Sequence, residues 1–228
     1  MTTIHSNLQS VRDRIAAACA GAQRGAEQVA LLAVSKTFGP DAVREAHAAG
    51  QRAFGENYIQ EAVEKIALLA DLPLEWHCIG PIQSNKTRLV AQHFHWAHTI
   101  DRLKIAQRLS EQRPAGLPRL QVCIQVNVDG GASKSGVPPA QVHDLACEIA
   151  QLPNLRLRGL MTIPEPAATY EEQLAVHRKA AELFQELREG ELPLDTLSMG
   201  MTADLEAAIA AGSTMVRVGT AIFGTRPR

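Results

Sequence analysis

The feature that most constrains this chain is a strict alternation of two kinds of segment along its 228 residues. Eight short apolar or β-branched runs recur: "VALLAVSK", "RAFGEN", "EWHCIG", "HWAHTI", "LQVCIQVNV", "LRLRGLMTI", "DTLSMG" and "TMVRVG". Stretches with helical spacing separate them, among them "DAVREAHAAG", "YIQEAVEKIALLA", "DRLKIAQRLSEQ", "AQVHDLACEIAQL" and "EEQLAVHRKAAELFQELREG". Strands that each return through a helix run parallel. No Pro-, Gly- or Ser-rich linker divides the units, so residues 1–228 are expected to form one domain. About eight βα units in roughly 200 to 250 residues close into a TIM-type (β/α)8 barrel whose active face lies at the C-terminal ends of the strands. A doubly wound open sheet competes, but it usually has fewer strands and a glycine-rich first turn. The first turn here is "SKTFGP". Ahead of the first strand, Leu8, Val11, Ile15 and Cys19 share one helical face and predict an extra N-terminal helix. Gly50, Gly190 and Gly212 mark expected helix ends, and Asp41, Asp101 and Thr202 expected starts.

Charge excludes some function classes. The net charge is −1, without a long basic or acidic run, which disfavours nucleic acid or an anionic membrane as main partner. The N-terminus lacks the apolar core of a signal peptide and no run reaches membrane-spanning length, so a cytoplasmic protein is expected. Cys19, Cys78, Cys123 and Cys147 are scattered with no C-x-x-C pair and read as buried reduced thiols.

Alternation along the first strand sends Leu32, Val34 and Lys36 to one face and Ala33 and Ser35 to the other. With Leu32 and Val34 facing the barrel interior, Lys36 stands at its upper rim among aliphatic neighbours. Such a setting disfavours the ammonium and favours an amine that attacks aldehydes. Taken alone, Lys36 reads more plainly as a lysine snorkelling at a strand end. The C-terminal segments shift the balance. "DTLSMGMTADLEAAIAAG" turns through Gly200 and is expected to start a helix with Thr202 as N-cap. Backbone N–H groups there, with the hydroxyls of Ser198 and Thr202, would form an anion site. "STMVRVGTAIFG" places Met215, Arg217 and Gly219 on one face of the last strand, with Thr220 just beyond. Phosphate sites in such barrels follow strands seven and eight. An arginine inside a barrel needs a partner. An amine on strand one, a phosphate cradle on strands seven and eight and a guanidinium between them suit an aldehyde carrying a phosphate on a flat ring. Pyridoxal 5′-phosphate fits, and so does a phosphosugar.

Four stretches carry a resemblance: "LLAVSKTFGPDAVREAHAAGQRAFGENYIQEAVEK", "WHCIGPIQSNKTRLV", "LRGLMTIP" and "LSMGMTADLEAAIAAGSTMVRVGTAIFG". Together they resemble the YggS/PROSC family of pyridoxal-phosphate homeostasis proteins over nearly the whole chain. The resemblance implies the barrel of alanine racemase's N-terminal domain, with pyridoxal 5′-phosphate carried as an internal aldimine. It implies that Lys36 is the aldimine lysine, that Arg217 faces the pyridine nitrogen and that Asn57 of "FGEN" lies beside the ring. Ser198, Gly200, Met201, Thr202, Gly219 and Thr220 would surround the phosphate. Thr202 stands where family members often have serine, which keeps the hydroxyl. The tail "TRPR" lacks the aromatic ending common in relatives.

Other residues have plainer readings. Lys134 in "GGASKSG" is expected on a solvated loop, since the P-loop pattern is absent. Lys86 either borders the site or is solvated. His93, His95 and His98 run across a helix end and a strand with no carboxylate joining them at ligand spacing, and His77 points to the other face from Cys78, so no metal is expected. The expected function is to hold, buffer and deliver pyridoxal phosphate as a monomer, with apo-enzymes as recipients and no catalytic residue of its own. The competing class is a pyridoxal-dependent racemase, which shares every cofactor ligand but needs a second acid–base group on the opposite face of the ring. In alanine-racemase relatives a tyrosine from a following β domain serves there. This chain ends at Arg228, so that domain is expected to be missing, leaving Tyr58 and Tyr170 as candidates. An aldolase using Lys36 would need a neighbouring carboxylate, for which Glu56 is the candidate.

Overall fold

The computed structural model describes residues 3–131, 135–190 and 192–225. Its eight parallel strands form a closed barrel in chain order, with the last pairing the first. The strands are β1 (Ala30–Val34), β2 (Ala53–Glu56), β3 (Glu75–Cys78), β4 (Trp96–Ile100), β5 (Leu120–Val126), β6 (Leu155–Thr162), β7 (Thr196–Ser198) and β8 (Met215–Val218). Around them lie α1 (Ile4–Gly21), α2 (Pro40–Ala48), α3 (Ile59–Leu68), α4 (Thr87–His93), α5 (Leu103–Gln112), α6 (Val142–Ala150), α7 (Tyr170–Glu189), α8 (Leu205–Ala210) and α9 (Thr220–Phe223). The expected barrel and N-terminal helix are both present, and Leu8, Val11, Ile15 and Cys19 of α1 are all buried. Lys134 and the end of the "TRPR" tail lie outside the described residues.

The strands are shorter than the apolar runs that predicted them. Their C-terminal residues leave the sheet and become the loops of the top face, as with Ser35 and Lys36 after β1 and Met199 and Gly200 after β7. The main core lies between strands and helices and takes the outward residues, such as Ala33, Phe54, Cys78 and Met199. Inward residues form two small clusters, Leu32–Val34–Ile79–Met215 and Trp96–Cys123–Met161. Polar side chains fill much of the remaining interior, since His77, His98, Ser198 and Arg217 are all buried there. Cys19, Cys78 and Cys123 are buried as expected, but Cys147 is exposed on α6.

Glu56 turns away from the barrel interior. Its predecessor Gly55 faces inward, where an added Cβ would press on Leu32 and Ile79. Alternation therefore sends Glu56 to the helix layer. There its Oε1 accepts hydrogen bonds from Lys65 Nζ of α3 at 2.7 Å and from Ser35 Oγ at 2.6 Å. Lys65 Nζ also donates to the Ser35 carbonyl at 3.0 Å. This buried pair ties α3 to the ends of β1 and β2, one residue before Lys36. The aldolase reading of Glu56 as a carboxylate beside Lys36 fails on this geometry. Burial pushes the Glu56 carboxyl above its ordinary value, while Lys65 and Ser35 pull it the other way.

A buried ion pair is far more sensitive to loss of one partner than of both. Lys65→Met is expected to lower stability by about 3–5 kcal/mol, and Glu56→Gln/Lys65→Met to recover most of that loss. Urea unfolding of the three proteins checks this; a double variant no better than Lys65→Met would contradict it.

Candidate functional site

A top-face cavity of about 500 Å³ is lined by Val34, Lys36, Asn57, Ile79, Ile163, Met201, Thr202, Ala203, Arg217, Gly219 and Thr220. Seven of the nine residues singled out in the sequence thus share one space. Lys36 leaves β1 at a tight turn in which Thr37 adopts a left-handed φ of 68°. That conformation is uncommon for a β-branched residue, and it is held by a hydrogen bond from the Thr37 N–H to Glu61 Oε1 at 3.1 Å. Lys36 also borders a second cavity of about 180 Å³ with Phe38, Gly219 and Gly224.

Arg217 is the electrostatic centre of the site. It is 4% exposed, yet no carboxylate among the described residues bonds to it. Its Nη1 donates to the Ser198 carbonyl at 2.7 Å and to Ser198 Oγ at 2.9 Å, and its Nη2 to the Thr162 carbonyl at 2.8 Å. Among the described residues nothing accepts from its Nε–H. Burial pushes its pKa down to about 10, so it remains a cation at neutral pH. A buried cation resting on neutral acceptors favours an electron-rich ligand in the cavity.

The turn after β7 and the start of α9 supply backbone donors. The N–H groups of Thr202, Ala203 and Gly219 have no acceptor among the described residues. At Gly219 an added Cβ would stand 3.1 Å from the Val34 carbonyl, so glycine lets this wall close against β1. Asn57 contributes an orphaned atom: its Oδ1 is buried without a hydrogen-bond partner. Its loop packs so tightly on Gly80 that a Cβ there would strike the Asn57 carbonyl. A group bringing a phosphate, an electron-rich ring nitrogen and a polar ring substituent therefore matches what the cavity walls offer.

Several expectations are corrected. Ser198 does not line the cavity; it is the inward residue of β7, and its hydroxyl lies beneath Arg217, 3.0 Å from His98 Nδ1. Gly200 is also buried. At φ 94°, with space too tight for a Cβ against Ala208, it redirects the chain into the turn rather than touching the cavity. Thr202 is not a helix N-cap. Residues 201–204 form a turn, and α8 begins only at Leu205 with Asp204 before it. Asp204, whose role the sequence did not reveal, closes that turn: Oδ1 accepts from the Met201 N–H and Oδ2 bonds His177 Nε2 at 3.0 Å. From α1, Arg14 reaches the same turn, donating to the Thr202 carbonyl and to Glu206. An arginine facing a glutamate almost the whole chain away in sequence gives no local signal. Lys86 bonds Gln60 at 3.1 Å and does not line the cavity. Tyr58 and Tyr170 are exposed and likewise absent from its walls. His77 and His98 meet inside the barrel, whereas His95 accepts from the Trp76 N–H on the outside.

Residues 6–227 match the family model of the alanine racemase N-terminal domain. The chain is 63% identical over 226 residues to the pyridoxal phosphate homeostasis protein of Pseudomonas aeruginosa, covering 99% of this chain and 97% of that one. It is 56% identical over 229 residues to the protein of the same name in Escherichia coli K12, covering 99% and 98%. PipY of Synechococcus elongatus, solved with PLP bound, superposes with a TM-score of 0.85 at 38% identity, covering 97% of this chain and 100% of that one. At 18% identity and a TM-score of 0.77, a D-threonine aldolase from Filomicrobium marinum shares the fold; the match covers 96% of this chain and 60% of that one. The chain belongs to the pyridoxal phosphate homeostasis family within the alanine racemase N-terminal group.

Burial pushes the Asp204 carboxyl up, but the bonds from His177 and the Met201 N–H outweigh it and leave the pKa below the ordinary value. A lowered carboxyl pKa adds stability above the unfolded value, and that stability is lost as pH falls through the folded one. Asp204→Ala is expected to cost about 1–3 kcal/mol near neutral pH. The gap to wild type should close below about pH 4, as read by denaturant unfolding across pH.

Proposed function

Taking membership of this family as the premise, we propose that the chain binds pyridoxal 5′-phosphate through Lys36 and buffers or delivers it, without significant catalysis of its own. The observation that carries the reading is one cavity lined by both a lysine amine and a buried guanidinium with no carboxylate partner among the described residues. When bound, the cofactor supplies an aldehyde that an amine can hold reversibly and a ring that accepts electrons. Lys36 is the amine. Arg217 can only donate, so it suits an unprotonated ring nitrogen and makes the ring a weaker electron sink than a carboxylate would. The free N–H groups of Thr202, Ala203 and Gly219, with the hydroxyls of Thr202 and Thr220, suit the phosphate. Asn57 and Met201 border the ring and phosphate, Ser198 acts through Arg217, and Gly200 acts through the turn.

Two features favour holding over turnover. A racemase removes a proton on one face of the ring and returns it on the other, which takes two acid–base groups. Neither Tyr58 nor Tyr170 lines the cavity, and Glu56 is committed to Lys65 on the helix side. Recipient apo-enzymes and action as a monomer belong to the same proposal.

Borohydride reduction of the loaded protein followed by peptide mapping should place the pyridoxyl label on the peptide containing Lys36. Label chiefly on Lys86 or Lys134 would sink the assignment. Lys36→Ala should lose the covalent adduct while keeping weak binding. Arg217→Glu should change the visible spectrum and weaken binding; an unchanged spectrum and affinity would mean that Arg217 does not meet the ring. Loss of α-deuterium from labelled L- and D-alanine should stay far below about 1 s⁻¹, and turnover at or above that rate would overturn the carrier reading.

A further inference from the structure

Beneath the cavity, five side chains form a continuous line down the barrel interior. Arg217 Nη1 on β8 lies 2.9 Å from Ser198 Oγ on β7, which lies 3.0 Å from His98 Nδ1 on β4. His98 Nε2 is 2.9 Å from His77 Nδ1 on β3, and His77 Nε2 is 2.8 Å from Glu75 Oε1 at the start of the same strand. Ser198, His98 and His77 are fully buried, whereas the Glu75 side chain is 50% exposed at the mouth opposite the cavity.

With both imidazoles kept neutral by burial, the two ends dictate the direction of every bond between them. A guanidinium can only donate and an ionised carboxylate can only accept. Ser198 Oγ accepts from Arg217, which leaves its own proton for His98 Nδ1. His98 then carries its proton on Nε2 and gives that bond to His77 Nδ1. His77 in turn carries its proton on Nε2 and donates to Glu75. The opposite sense would set an imidazole lone pair against the carboxylate. Burial pushes both imidazoles below their ordinary value, His98 the further, where His77 and Arg217 add to the effect. The bond from His77 holds the Glu75 carboxyl below its ordinary value.

The charged and titratable surroundings leave this polarity intact. His77 stacks on Trp96 and feels His95 and Glu75; His98 also faces Trp96. Arg217 feels Asp204 and Cys123. At the lower mouth Glu75 shares one cavity with His95, Arg113, Arg119, Arg156 and Arg158, and another with Glu27 and Asp195. The bonds to Glu75 from His77 and Trp96 favour its ionised form.

We propose that Arg217→Ser198→His98→His77→Glu75 is a one-way hydrogen-bond chain. It fixes the guanidinium toward the cavity and couples the ring nitrogen of the bound cofactor to the charge of Glu75 at the opposite mouth. Ser198, His98 and His77 are its positioning residues. A carboxylate placed against Arg217 would take the donors that the ring needs, since such pairs form two parallel bonds. The chain moves the counter-charge to the other end of the barrel and passes its influence through neutral, polarised groups. The coupling to the ring rests on the proposed function, but the tautomer pattern does not.

Two measurements test the chain separately. In cofactor-free protein labelled with 15N-histidine, two-bond 1H–15N spectra should show His77 and His98 as neutral Nε2–H tautomers, unchanged between about pH 5.5 and 8. An Nδ1–H tautomer or a titration of either ring in that range would overturn the proposal. Glu75→Gln keeps an acceptor and should keep both tautomers. Glu75→Leu should displace the His98 signals together with those of His77; His98 signals that stay in place while His77 moves count against coupling. In protein loaded with ring-15N pyridoxal phosphate, Ser198→Ala should move the ring-nitrogen signal and weaken binding about tenfold, and Ser198→Thr should restore both. Glu75→Gln, at a half-exposed site, should move the same signal without loss of fold. A ring-nitrogen signal indifferent to both Ser198→Ala and Glu75→Gln defeats the proposal. Should wild type take up no cofactor, the functional reading fails, and the histidine spectra decide the chain on their own.

Discussion

A guanidinium held inside a protein with no carboxylate against it is costly, and the site is organised around that cost at Arg217. Two carbonyls, from Ser198 and Thr162, and one hydroxyl take its donors. The serine hydroxyl is oriented in turn by the histidines beneath it. An aliphatic middle layer of the kind usual in these barrels would leave the cation unsupported. The polar interior is therefore a consequence of placing a permanent cation where only neutral acceptors reach it, and that same cation gives the cavity its preference for an electron-rich ligand.

The walls around Arg217 contain little regular structure of their own. β7 has three residues, α9 four and α8 six, too few to be stable without outside contacts. Long elements hold them. From α1, Arg14 bonds the Thr202 carbonyl and Glu206, and Asn7 bonds the Ile222 carbonyl. From α7, His177 bonds Asp204. The N-terminal helix, an addition to the eight-unit barrel, thus braces the two turns that face the cavity. On the other wall the buried Lys65–Glu56–Ser35 cluster performs the same task for the loop carrying Lys36. Rigidity at both walls serves the proposed function, in which a phosphate and an aldehyde at two ends of one small molecule would have to be met at a fixed separation.

The same barrel also occurs in enzymes, as the likeness to a D-threonine aldolase makes plain, so the fold alone does not separate a carrier from a catalyst. The distinction lies in which groups reach the cavity. Lys36 does, whereas Glu56, the carboxylate at the end of the neighbouring strand, faces the helix layer, and the two tyrosines sit outside. Under the proposed function, a donor-only Arg217 at the ring nitrogen would further favour holding the cofactor over making it a strong electron sink.

By itself the sequence determined the barrel, because eight apolar runs separated by helical spacing admit few parallel arrangements, and it determined that Lys36, Arg217 and Gly219 face the same way, because strand alternation is local. It also revealed which short segments surround the site. What it did not determine was how side chains share space inside the barrel. Ser198 read as an anion ligand because a hydroxyl beside a glycine turn suggests one; only barrel closure brought it under Arg217 and over His98. Thr202 read as a helix cap, but the chain first makes a turn closed by Asp204, and the partners of that turn come from α1 and α7, far away in sequence. His77 and His98 lie on neighbouring strands with 20 residues between them, and nothing local says that their rings meet. Periodicity fixes the face a residue presents, whereas the partner it finds there depends on register and strand closure, and these belong to the tertiary structure.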